Sequence, residues 1–166
     1  MAISIRTVAV AVLFLIASGA AVYPQAAQWV EQYHQSKAND LLSASIAEVE
    51  PGEREELRAK ADEYNQSLLR TGPVTGNPEY FEQMRLADTD VIGRLRVPSI
   101  DLDQPIRHTV DEYALLSGVG HAEGTSMPVG GLATHAVLGG HRGLAEAVGF
   151  THLPNIEVGD MVYVDS

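Results

Sequence analysis

Cysteine is absent from all 166 residues, and its absence removes three chemistries together. No disulfide can staple the fold, no thiolate can ligate a metal, and no thiol nucleophile exists within these residues. Basic residues are scarce as well. Lys+Arg 11 against Asp+Glu 22 give a formal net charge of −11, the wrong sign for a surface that binds nucleic acid by displacing phosphate counterions. No His-Glu-x-x-His occurs, and carboxylates do not gather around His135, so no metal and no cofactor is expected. Ser126 lies in Gly124-Thr125-Ser126-Met127-Pro128, which lacks the second glycine of a nucleophile elbow, and Ser99 and Ser117 have no recognisable setting. Repeats and low-complexity tracts are missing too.

Long apolar runs are limited to one. Val8 to Val22 is nearly continuous in Val, Ala, Leu, Phe and Ile, and Ala2, Ile3 and Ile5 extend it toward the roughly 20 residues a membrane span needs. Arg6 and the amino terminus supply the cytoplasmic charge. Residues 1–23 are therefore expected to be an uncleaved single-pass anchor in the cell membrane, with the remainder extracytoplasmic. The rival is a signal peptide processed among the small residues Ala17 to Ala21. Tyr23, Trp29 and Tyr33 suit a membrane–water interface, or the packing face of a juxtamembrane helix.

Residues 24–70 read as a helical appendage. Asn39 or Asp40 can cap a helix carrying Leu41, Leu42, Ile46 and Val49, and Pro51-Gly52 stops it. A second helix is predicted over 53–69, because Leu57, Ala61, Tyr64 and Leu68 form one stripe. Its acidic residues read as a solvated face. Residues 71–90, with Thr71-Gly72-Pro73 and Gly76-Asn77-Pro78, are breaker-rich. From Val91 the period falls to two: Leu95 and Val97 alternate with arginines, then Ile100 and Leu102 with aspartates. Pro98 separates these strands, and Pro105 favours an edge or an end. A short helix over 111–117, an irregular glycine-rich stretch over 118–131 and a last strand over 161–164 complete the reading.

The chain reads as organised around His135-Ala136-Val137-Leu138-Gly139-Gly140-His141-Arg142-Gly143-Leu144. Ala136 to Leu138 reads as a buried strand whose two glycines release the backbone, delivering an imidazole at the strand's end. A scaffold can hold a general acid/base rigidly there while leaving it open to substrate. The plainer alternative is a polar strand end with one more solvated histidine. His121 and His135 read as structural, and His34, His108 and His152 as surface residues.

Several stretches carry a resemblance: Tyr23-Pro24 and Tyr33-His34-Gln35-Ser36-Lys37; Ile92-Gly93-Arg94-Leu95-Arg96-Val97-Pro98-Ser99-Ile100; Gly118 to Gly131; Thr134-His135; Gly140-His141-Arg142-Gly143-Leu144; and Val158-Gly159-Asp160. Together they resemble the N-terminal half of a class C, pilus-assembling sortase. The resemblance implies a mainly β fold, with residues 91–166 forming the first half of a sortase-type β-barrel behind the anchor and the helical appendage. It maps the catalytic histidine onto His141 and places the catalytic cysteine and arginine on later strands, beyond Ser166. Arg142 is not that arginine. The family's lid motif, Asp-Pro-aromatic, would fall on Asn77, Pro78 and Tyr80, but Asn77 replaces the aspartate and Glu79 precedes the aromatics, so a plain linker stays open.

The implied activity is transpeptidation. A Leu-Pro-x-Thr-Gly-type sorting signal on a pilin or surface protein is cleaved between Thr and Gly, and the acyl-enzyme is joined to a pilin lysine amine. The 166 residues alone are expected to be an incomplete, inactive portion. The alternatives are a truncated, non-catalytic sortase-like binding module anchored in the membrane and, more weakly, an extracytoplasmic metal-binding module.

Overall fold

A computed structural model describes residues 4–85, 89–144 and 149–166. Helix α1 runs unbroken over Ile5–Glu48, 44 residues, with Ser4 as its N-cap: the Ser4 hydroxyl accepts the Thr7 N–H at 3.2 Å. At about 1.5 Å per residue it is about 66 Å long. Its N-terminal half is long and apolar enough to cross a membrane, and none of its most apolar window is buried. Pro24 lies inside the helix, and the fresh cap expected at Asn39 or Asp40 does not form because α1 continues through both. Asn39 lies within the continuous helix, where the following backbone N–H groups already bond inside it, and its Nδ2 donates to Asp103 of the sheet at 3.1 Å.

Helix α1 ends at Glu48, where the Arg54 guanidinium donates to the carbonyls of Ile46 (2.6 Å) and Val49 (3.1 Å). These are the carbonyls a helix end leaves without intrahelical partners. Helix α2 spans Pro51–Thr71. Pro51 opens it rather than merely stopping its predecessor, because a proline at the first helical position sacrifices no intrahelical bond. Gly72, at φ +76°, closes it by donating to the Leu68 carbonyl at 2.8 Å. The predicted stripe is the packed face: Ala61 and Tyr64 are buried and Leu68 lies against the core.

Five strands follow: β1 (Val91–Val97), β2 (Leu102–Arg107), β3 (Val119–His121), β4 (Leu138–Gly139) and β5 (Tyr163–Asp165), with α3 (Glu112–Leu116) between β2 and β3. The order across the sheet is β4-β3-β2-β1-β5. Pairing is antiparallel except between β2 and β3, which α3 connects as a parallel crossover. In β1, Leu95 and Val97 are buried between half-exposed Arg94 and Arg96, as the alternation predicts. Ile100 departs from its expected strand and sits in a 3₁₀ turn, Pro98–Ile100, followed by Asp101 at φ +53°. Pro105 is tolerated because β3 joins β2 only at Ile106, leaving the Pro105 position unpaired on that side. On the outer face Arg94 clasps Asp103, and Arg96 clasps Asp165 at 2.7 and 3.1 Å, marking the β2–β1–β5 register. Being half exposed and screened by solvent, such pairs add little to stability.

One expectation is corrected. The fold is a mixed helix–sheet arrangement rather than mainly β, since α1 and α2 hold 44 and 21 residues while the longest described strand holds 7. Among the described residues the sheet is open. Its edge strands β4 and β5 are two and three residues long and each pairs only inward. The core lies between the sheet and the helices, with Ile92, Leu95, Val97, Leu102, Ile106, Val119 and Met127 meeting Ala61, Tyr64 and Tyr80.

Candidate active site

Edge strand β4 pairs Leu138 with His121 and Gly139 with Gly120, then ends. It is shorter than predicted and only half buried, and Val137 is exposed, because nothing among the described residues pairs with its outer side. His141 stands two residues beyond the last ladder position, half buried, with Arg142 exposed next to it. Among the described residues the His141 imidazole has no hydrogen-bond partner. Its backbone is held instead, the carbonyl accepting the Phe150 N–H at 2.7 Å. Two residues on, the Gly143 N–H donates to the Thr151 hydroxyl at 2.9 Å. A cleft of about 500 Å³ beside this loop is lined by Gln28 and Gln32 of α1 and by Ile100, Leu144, Thr151 and His152.

The other histidines separate by environment. His121 on β3 is fully buried and structural, as read from the sequence: its Nε2 faces the Ser126 carbonyl at 2.8 Å and its Nδ1 faces the Tyr80 hydroxyl at 2.7 Å. Burial pushes its pKa down, and the bond to Ser126 opposes the shift. His135 is exposed, its N–H donating to the Ser126 hydroxyl and its carbonyl accepting the Ser126 N–H, each at 3.0 Å. His108 corrects its reading as a surface residue. It is 4% exposed at the end of β2, edge-on to the Tyr80 ring at 5.3 Å. Burial, helped by the neighbouring His121, lowers its pKa to about 4, so it is neutral at neutral pH. Among the described residues no three His, Asp or Glu side chains gather as metal ligands.

The three lid-candidate residues lie in one 3₁₀ turn, Pro78–Glu82, and its cap. Asn77 caps the turn by accepting the Glu79 N–H at 3.0 Å, and its own N–H donates to Glu123 at 3.0 Å. Pro78 is exposed at the first position of the turn. Tyr80 is completely buried, its hydroxyl reaching the His108 carbonyl at 2.5 Å as well as His121. The structure thus brings Tyr80 to the two buried histidines and fastens Asn77 to the loop after β3. Sequence reasoning missed the grip of Phe150 and Thr151 on the His141 loop. The only available hint was the glycine pair Gly140 and Gly149 flanking it.

Comparison with known proteins places this geometry. A family model described as the sortase domain matches residues 95–166. No curated protein matches the sequence. Sortase C1 from Streptococcus agalactiae shares 29% identity at a TM-score of 0.69, over 74% of this chain and 66% of that one. Its type III crystal form gives 34% and 0.70, over 78% and 66%. Sortase C-1 from Actinomyces oris gives 36% and 0.60, over 70% and 68%. The chain therefore spans just under two thirds of the streptococcal relatives' length. With a sortase-domain match over the sheet, and identity above 30% across two thirds of the Actinomyces protein, the chain belongs to the sortase family, among its class C members.

Proposed function

We propose that this chain contributes the acid/base half of a class C sortase site, with His141 as the proton-transfer residue of a cysteine transpeptidase. The observation that carries the reading is the His141 imidazole, half buried at a strand end, its backbone held and its ring without a partner among the described residues. In the reaction a thiolate attacks the Thr carbonyl carbon of a Leu-Pro-x-Thr-Gly-type signal. As the C–N bond to Gly breaks, the His141 imidazolium gives its proton to the departing amine, leaving a thioester and neutral imidazole. A pilin lysine amine then attacks the thioester. It returns a proton to His141, and the thiolate leaves. No thiol is among these 166 residues, and the resemblance places the cation that stabilises the oxyanion on a later strand. This chain by itself is therefore inactive in the proposal.

Helix α1 anchors the protein, residues after Tyr23 lie outside the membrane, and the partners are pilins or surface proteins bearing the signal. The resemblance would make Asn77, Pro78 and Tyr80 the lid, and the burial of Tyr80 supports an anchored turn rather than a freely swinging flap. A second reading, a non-catalytic sortase-like binding module, is favoured by one observation, the absence of cysteine. The deciding experiment is cleavage of a sorting-signal peptide by a thiol-bearing full-length protein with and without His141→Ala. Unchanged turnover would favour the binding module.

A further inference from the structure

An acid/base group must be placed to within about 0.5 Å to act well, yet the sheet does not hold His141. Its ladder stops at Gly139, on an edge strand of two residues. The placement comes from a second segment, Gly149-Phe150-Thr151, through contacts that interlock. The Phe150 N–H donates to the His141 carbonyl at 2.7 Å. Gly149 is buried at φ +40°, and a Cβ there would lie 2.3 Å from the His141 oxygen, 3.1 Å from its carbonyl carbon and 3.2 Å from its nitrogen. Its backbone therefore rests directly on the His141 peptide. In the opposite sense, a Cβ on Gly140 would lie 2.9 Å from Cδ2 of Phe150, with Cε2 and Cγ at 3.1 and 3.2 Å. The ring lies against the Gly140 Cα. Each segment thus offers a glycine to receive the other, and a side chain at either position would prise them apart. The Thr151 hydroxyl adds the Gly143 N–H at 2.9 Å. Phe150 is also packed against the hydrophobic core, so the clamp ties the His141 loop to that core.

We propose that Gly149, Phe150 and Thr151 are positioning residues for His141, fixing its backbone so that the imidazole stands in one place. The catalytic meaning of this clamp rests on the proposed role of His141, while its evidence is the geometry alone. None of the three touches a substrate in this account. They act through the histidine.

The test is backbone ¹⁵N relaxation with imidazole ¹³C–¹H spectra on the full 166-residue chain in detergent micelles, His141→Gln serving to assign the ring signal. In the unaltered chain the His141 amide should show the order parameter of rigid backbone, about 0.85, and in Phe150→Ala and Gly149→Ala it should fall below about 0.6. The signals of His108 and His121 should stay in place, and Phe150→Tyr, which keeps a ring over Gly140, should restore His141. A general packing role would move the core histidines along with His141. That result, or an unchanged order parameter in folded Phe150→Ala and Gly149→Ala, overturns the proposal. If both variants unfold, Thr151→Val decides. It removes one hydrogen bond at the surface, and a drop at Gly143 and His141 supports the clamp where no change refutes it. Should a thiol-bearing full-length protein keep its activity without His141, the functional reading fails while these order parameters stand.

Discussion

The Asn65 side chain and the Met127 main chain satisfy each other across 62 residues: Nδ2 donates to the Met127 carbonyl at 3.2 Å, and Oδ1 accepts the Met127 N–H at 2.6 Å. An amide on α2 thereby takes the place of a neighbouring strand for a buried stretch of irregular backbone. The helical appendage and the loop leading to the candidate site are joined by this pair.

Asn65→Ala should therefore destabilise more than a surface substitution would. It leaves the buried Met127 N–H unpaired, at about 1–3 kcal/mol where no water replaces the amide, while the Met127 carbonyl keeps the Val129 N–H at 2.8 Å. For a chain of this size that lowers the melting temperature by roughly 2–4 °C per kcal/mol. Thermal unfolding followed by circular dichroism checks it, and a shift under 1 °C would show the pair to be dispensable.

Tyr80→Phe should loosen the Pro78–Glu82 turn without unfolding the sheet. The hydroxyl is the contact to the His108 carbonyl and to His121. Cleavage by trypsin after Arg85, just beyond the turn, should quicken several-fold while the thermal midpoint changes modestly. Unchanged cleavage would mean that packing of the ring alone holds the turn.

Stability should fall as pH drops from about 6.5 to about 4. Burial depresses the folded-state pKa of His108 from 6.5 to about 4, and His121 is shifted in the same direction. Between those values the unfolded chain binds protons that the folded chain refuses, so stability present above pH 6.5 is lost on acidification, and the His108 contribution levels off below about 4. Asp111 and Asp160, with lowered pKa values, act in the same direction at still lower pH. His108→Gln should flatten the melting-temperature profile between pH 6.5 and 4. A slope identical to that of the unaltered chain would remove His108 from the account.

Protease added to intact cells should remove everything after the first apolar segment, if α1 anchors the chain with Arg6 on the cytoplasmic side. Full protection of the globular part would reverse the orientation.

Local pattern made much of this molecule legible. The Leu95–Val97 alternation marked a strand buried on one face, and Leu57, Ala61, Tyr64 and Leu68 marked the packed face of α2. What escaped was decided by partners distant in sequence. Asn39 has the chemistry of a cap, but α1 runs through it and its amide instead reaches Asp103, 64 residues on. Nothing near Tyr80 in sequence announces that its hydroxyl meets the His108 carbonyl, just past β2, and the His121 ring of β3. His108 looks solvated for the same reason: nothing in its neighbourhood in sequence announces the rings that cover it. At the candidate site, the position of His141 past a glycine pair at a strand end was readable. The clamp from Gly149 to Thr151 was not, because backbone resting on backbone leaves only glycines as its trace.

The central claim is that His141 moves the proton in sorting-signal cleavage, and it is tested most directly by turnover of a thiol-bearing full-length protein. His141→Ala should lower kcat by about 10²–10⁴, the usual contribution of a placed acid/base group, with an unchanged cooperative melt. His135→Ala, whose exposed side chain leaves its backbone bonds to Ser126 intact, should keep activity within about threefold, as surface substitutions generally do. The 166-residue chain alone should cleave no faster than background. Equal losses from both histidine variants, or undiminished turnover with His141→Ala, would contradict the account.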